Sequence, residues 1–112
     1  MIAIPGLRTG RGGNNREHWA GRARRVRAER EAVSWSLLGR TKPTLPCVVL
    51  LTRVAPSAGL DDDNLAGALK SVRDAVAQWL GVDDRDRETV RYEYAQRRGK
   101  WGVEIAWRDR AS

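Results

Sequence analysis

Residues 47–80 read CVVLLTRVAPSAGLDDDNLAGALKSVRDAVAQWL, and the fold turns on this stretch. Cys47-Val48-Val49-Leu50-Leu51 is a continuous apolar run. It is too short for a helix and reads as a strand buried on both faces. Residues 55–60, APSAGL, form a turn-rich connector. Asp61-Asp62-Asp63-Asn64 then opens a helix that runs to about Leu80. Its apolar stripe is Leu65, Leu69, Val72, Val76 and Trp79, and Gly81 ends it.

Upstream, residues 1–7 predict a short strand ended by Pro5 and Gly6, and residues 8–15, RTGRGGNN, a basic loop. From Arg16 to about Leu38 the pattern is helical, with Trp19, Ala23, Val26, Val33 and Leu37 on one stripe that Arg30 interrupts. Gly39 is a plausible stop, and residues 39–46 are a loop holding Pro43 and Pro46. Downstream, Asp83-Asp84-Arg85-Asp86 makes a second acidic turn. Val90, Tyr92 and Tyr94 alternate on one face, as do Val103, Ile105 and Trp107, and Gly99 lies between them, which predicts a β-hairpin. The expected order is β-α-β-α-β-β, an α+β fold with a small mixed sheet and two main helices, in one domain over residues 1–112.

The chain carries a net charge of +7, so a polyanionic partner is favoured, nucleic acid or an anionic membrane surface. No apolar run approaches the roughly 20 residues that a spanning helix needs. The first residues lack the apolar core of a secretory signal. A single cysteine, Cys47, excludes an internal disulfide and a cysteine-rich zinc site, and it reads as an inert core thiol. A reducing cytoplasm fits these features. The charge is concentrated: Arg8, Arg11, Arg16, Arg22, Arg24, Arg25, Arg27 and Arg30 are opposed in that stretch only by Glu17 and Glu29. Arginine's planar fork suits bidentate phosphate contacts, so these residues are candidate DNA-binding groups, or else a solvated helix face.

Two acidic clusters stand out in this basic chain, each at an element boundary. One aspartate at a helix start is ordinary capping. Three in a row repel one another, and a divalent cation would relieve that. Mg²⁺ takes hard oxygen ligands, one or two carboxylates plus water and phosphate oxygens. Two such ions can clamp an in-line displacement at phosphorus. An acidic pocket within a basic surface is the electrostatic pattern of a metal-dependent nuclease. Capping and turn chemistry without metal is the competing account.

The segment Asp61-Asp62-Asp63-Asn64-Leu65, a helix, and then Gly81-Val82-Asp83-Asp84 resembles the pattern of the RusA-like Holliday-junction resolvases. Asn14-Asn15-Arg16 and the hairpin Tyr92–Lys100 are similar to other parts of that family, so the likeness runs from about residue 14 to 107. It implies a homodimeric endodeoxyribonuclease that uses Mg²⁺, with Mn²⁺ as a substitute, to cut four-way or related branched DNA, with no small-molecule cofactor and no membrane. It places Asp61, Asp63 and Asp84 as metal ligands, with Asp83 and Asp86 as alternatives to Asp84. Asn64 matches a motif residue that orients a carboxylate or caps the helix. One position departs from the pattern: where the family carries a lysine, this chain has Gly67. Lys70, three residues on, stands on the same helix face and is the candidate replacement. The departure also motivates a second expectation, a catalytically weak or inactive DNA-binding protein of the same fold. An RNA-directed nuclease is a more distant one. His18 reads as structural or DNA-facing, and Trp19 and Trp79 as core. Trp101 stacks on a base, packs on a dimer partner, or lies on the surface.

Overall fold

The computed structural model describes residues 1–10, 19–83 and 85–110. The elements run β1 (Ile2–Pro5), α1 (Trp19–Leu37), β2 (Cys47–Ala55), α2 (Asp62–Ala68), α3 (Lys70–Leu80), β3 (Val90–Arg98) and β4 (Gly102–Asp109). This is the expected α+β order with a four-stranded mixed sheet.

The strands lie in the order β1-β4-β2-β3. β2 pairs in parallel with β3, from Cys47↔Val90 to Ala55↔Arg98, and antiparallel with β4, from Cys47↔Asp109 to Val54↔Gly102. β1 completes the sheet against β4. The C-terminal hairpin is therefore a split one. β3 and β4 are antiparallel and joined by Gly99-Lys100-Trp101, but β2 lies between them, and Gly99 N–H donates to the Ala55 carbonyl as the connection passes its end. The most apolar strand takes the centre, where both of its edges find partners.

The helices cover one face only. Cys47, Val49 and Leu51 of β2 join Val90 and Tyr92 of β3, Val103 and Ile105 of β4, and Ile2 and Ile4 of β1 under Val33, Leu37, Leu65, Leu69, Val72 and Val76. The alternation read for β3 and β4 thus holds, with Trp107 packed beside Trp79 at 5.7 Å between ring centroids. Cys47 is fully buried, which pushes its thiol pKa up, and Asp109 adds to that; both favour the inert thiol form.

β2 is buried on both faces, as read from its apolar run, but the two faces are covered differently. On the second face Val48 and Val54 are buried but lie outside the core cluster, and no helix among the described residues covers them. Long charged side chains of the flanking strands do so instead. Arg108 of β4 reaches Glu93 of β3 at 3.0 Å, and Arg97 of β3 grips Glu104 of β4 through both terminal guanidinium nitrogens. Both pairs bridge across β2, and their aliphatic stems shield it.

Two further differences concern the helices. The helix predicted from Asp61 to Leu80 is broken at Leu69, which has ψ 6° and separates α2 from α3. Gly67 sits just before the break, where a residue without a side chain holds the helix least firmly. Gly81 ends α3 in the left-handed conformation, φ 73°, as expected. In α1, Val33 and Leu37 are buried as read, but Ala23 is exposed, and the inward position between Val26 and Val33 is filled by Glu29, only 2% exposed.

Candidate functional site

The parallel β2–β3 pair fixes the geography of the acidic residues. Chain leaving the C-terminal end of β2 passes through Leu60, whose N–H and carbonyl are both held by the Gln96 side chain of β3 at 2.9 and 2.7 Å. That clasp sets the start of α2 at this end of the sheet, outside the carboxyl ends of parallel strands, where open α/β sheets bind ligands.

Asp61 is the N-cap. One of its oxygens accepts from Asn64 N–H at 2.8 Å and the other from Asn64 Nδ2 at 3.1 Å. Asn64 is thus the residue whose amide Asp61 caps, and its side chain orients the Asp61 carboxylate. A carboxylate has about four lone-pair positions, so Asp61 keeps capacity for a cation. Asp62 and Asp63 are exposed in the first turn, and neither has a hydrogen-bond or ion-pair partner among the described residues.

The second acidic cluster stands at the opposite end. Thr89, one residue before β3, accepts from Cys47 N–H at the N-terminal end of β2. Between the clusters lies the α2–α3 run, about 28 Å at 1.5 Å per residue. Asp83 accepts from Arg85 N–H at 2.9 Å and pairs with the Arg85 guanidinium at 3.5 Å. Asp86 accepts from the Glu88 and Thr89 amides and from the Thr89 hydroxyl, and these bonds hold its pKa below the usual aspartate value. Asp84 lies outside the described residues. Among the described residues no three His, Cys, Asp or Glu side chains form an ion-binding group.

Lys70 is exposed, with Nζ 3.6 Å from Asp74. Asp74 also has Arg30 at 3.6 Å and Arg73 at 3.7 Å. Lys70 and Gly67 line the same cleft of about 310 Å³ between α1 and the α2–α3 junction, and α1 contributes Arg22 and Arg25 to it. Gly67 thus faces arginines from another helix, a relation that sequence spacing does not carry.

The arginines of α1 divide. Arg22, Arg24 and Arg27 are exposed. Arg25 turns inward. It pairs with the buried Glu29 at 3.1 Å and packs so closely on Gly10 that a Cβ there would stand 2.7 Å from its guanidinium. Glu29 in turn accepts from the Ser71 hydroxyl of α3 at 2.5 Å. A buried arginine, Arg53 of β2, donates to Thr9 at 3.1 Å. Arg53 and Arg8 both lie over the Trp101 ring, 5.4 and 5.1 Å from its centroid. Trp101 is therefore engaged within the chain by cation–π contacts. Sequence reading missed Glu29, Arg53 and Thr9; an acid among eight arginines was the only available signal. Arg11, Arg16, His18, Asn14 and Asn15 lie outside the described residues.

No helix among the described residues is long and apolar enough to cross a membrane. Comparison with protein-family models, with curated proteins and with solved structures finds no match for this chain.

Proposed function

We propose that the chain is a Mg²⁺-dependent endodeoxyribonuclease that cuts four-way or other branched DNA as a homodimer. The observation that carries this reading is the pair of uncommitted carboxylates, Asp62 and Asp63, beside the oriented Asp61 at the start of α2, in a chain of net charge +7. Exposed aspartates that repel one another and face a polyanion are unfavourable unless a cation joins them. Their hard oxygen donors suit Mg²⁺ or Mn²⁺. When bound, the ion would polarise a phosphate and lower the pKa of a water. Asp61 and Asp63 would hold it, Asn64 would fix the Asp61 rotamer, and Arg8, Arg22 and Arg24 would track the phosphate backbone. Lys70 or Arg22, which line the cleft at Gly67, would neutralise the phosphate that gains charge.

The homodimer has a geometric motive. Asp83 and Asp86 lie at the far end of the sheet from Asp61. Turn contacts already occupy their oxygens, so each copy would supply its own Asp61–Asp63 site, and a two-fold pair of copies would match the two-fold symmetry of a four-way junction.

A second reading, a DNA-binding protein of low or no catalytic power, is favoured by Gly67 and by the engagement of Lys70 with Asp74. Incubating a synthetic four-way junction with the protein, with and without Mg²⁺, separates the two. Mg²⁺-dependent cuts that Asp63→Asn eliminates support the nuclease. Binding without cuts in Mg²⁺ or Mn²⁺ supports the second reading.

A further inference from the structure

A surface of exposed apolar side chains set among charged ones lies along α1, uncovered by the other described residues. Trp35 and Leu38 are 74% and 69% exposed. With Ala23 and Val26 they line an open groove of about 810 Å³, to which α3 adds Gln78. Exposed apolar side chains grouped in this way mark contact surfaces rather than the scattered apolar residues of an ordinary exterior. The groove alone does not say what covers it, but its order of side chains does. Ala23, Arg27, Glu31 and Trp35 are four residues apart and form a single ridge. Read backwards, the ridge complements itself: the smallest apolar residue meets the largest, and the cation meets the anion. Neither Arg27 nor Glu31 has an ion-pair partner among the described residues.

We propose that a second copy of this chain docks antiparallel on α1. The Trp35 ring of each copy covers Ala23 and Val26 of the other, and Arg27 of each faces Glu31 of the other across a two-fold axis. Such an isologous contact repeats every interaction twice. Packing along i±4 ridges is also the commonest helix–helix class. The ridge is one helix wide, so its footprint falls below the roughly 800 Å² per partner of a standard interface, and association in the micromolar range is expected.

The arrangement deepens the proposed function, and rests on it for one consequence only. α1 runs in the same sense as α3, since Arg25 meets Gly10 near one end, Glu29 meets Ser71, Arg30 meets Asp74, and Gln78 lines the groove beside Trp35. An antiparallel α1 pair therefore sets the Asp61–Asp63 end of each copy on the side where the other presents Asp83 and Asp86. The association itself needs neither DNA nor metal.

Sedimentation equilibrium of the full chain, without DNA or Mg²⁺, tests the proposal at concentrations from roughly 1 to 100 µM. A reversible dimer is expected. Trp35→Ala should weaken it at least about tenfold. Glu31→Arg should do the same by facing arginine with arginine, and Arg27→Glu/Glu31→Arg together should restore it to within about threefold. All three positions are exposed, so circular dichroism should show an unchanged fold. A wild-type monomer throughout the range, a dimer indifferent to Trp35→Ala, or a charge swap that fails to rescue would overturn it. Junction cleavage measured separately keeps a failure of this interface distinct from a failure of the nuclease reading.

Discussion

Asp61–Asp63 and Asp83–Asp86 look alike in sequence, yet the structure uses them in opposite ways. Asp83 and Asp86 are consumed by turn chemistry: Arg85 and the Glu88 and Thr89 amides occupy their oxygens. At the other end, Asp61 is held by Asn64, while Asp62 and Asp63 have no side-chain partner among the described residues. A carboxylate that already accepts several hydrogen bonds stabilises the chain. One that accepts none is available to a ligand. The same division runs through the arginines of α1, where Arg25 is committed to Glu29 and Gly10, and Arg24 stands in solvent. Composition does not separate these cases; partners do.

The largest effect should come from the uncommitted acid. Asp63→Asn is expected to reduce Mg²⁺-dependent junction cleavage by about 100-fold or more while preserving or tightening binding, because the pocket loses a ligand and a repulsive charge together. Cleavage and gel-shift assays on one junction check this. Asp86→Asn should cut at the wild-type rate, and a comparable loss there would erase the contrast between the clusters.

Next in size is the committed arginine. Arg25→Ala leaves Glu29 buried with Ser71 but without its cation, and should cost about 2 kcal/mol in urea unfolding. Arg24→Ala should change stability by less than about 0.5 kcal/mol. Equal costs would mean that Arg25 is as solvated as its neighbour.

The same two variants should reverse their order in DNA binding. Arg24→Ala should lower the log–log salt slope by about 0.9 if it neutralises one phosphate, and Arg25→Ala should leave the slope unchanged. Slopes that fall together would place Arg25 on the DNA.

The smallest effect belongs to a committed acid on the open sheet face. Arg97 beside Glu104 holds its carboxyl below the ordinary glutamate value of 4.5. A lowered pKa in the folded state means stability that is present above the ordinary value and lost as pH falls through the lowered one. Thermal melts of wild type and Glu104→Gln should therefore differ near neutral pH and converge once the pH falls below that lowered value. The difference should be small because the pair is half in water.

Much of the framework is legible in the chain alone. The run at Cys47–Leu51, the spacing of Leu65, Leu69, Val72 and Val76, the alternation of Val90, Tyr92, Val103 and Ile105, and Gly81 each act through neighbours a few residues away. Periodicity and backbone preference therefore determine them. The acidic motif at Asp61 is local in the same sense, because a helix start needs a cap and Asn64 lies one turn on. Three other features were decided only by the tertiary structure. β2 lies between the two strands of the hairpin because the most apolar strand finds hydrogen-bond partners on both edges only at the centre. Glu29 occupies an inward position of α1 because Arg25 and Ser71, the latter 42 residues away, compensate a charge that would otherwise favour water. The two acidic clusters stand at opposite ends because parallel pairing of β2 with β3 sends the chain the full length of the sheet between them. A strand or a helix follows from spacing along the chain, but the fate of a charged side chain depends on which group meets it after the chain has closed on itself.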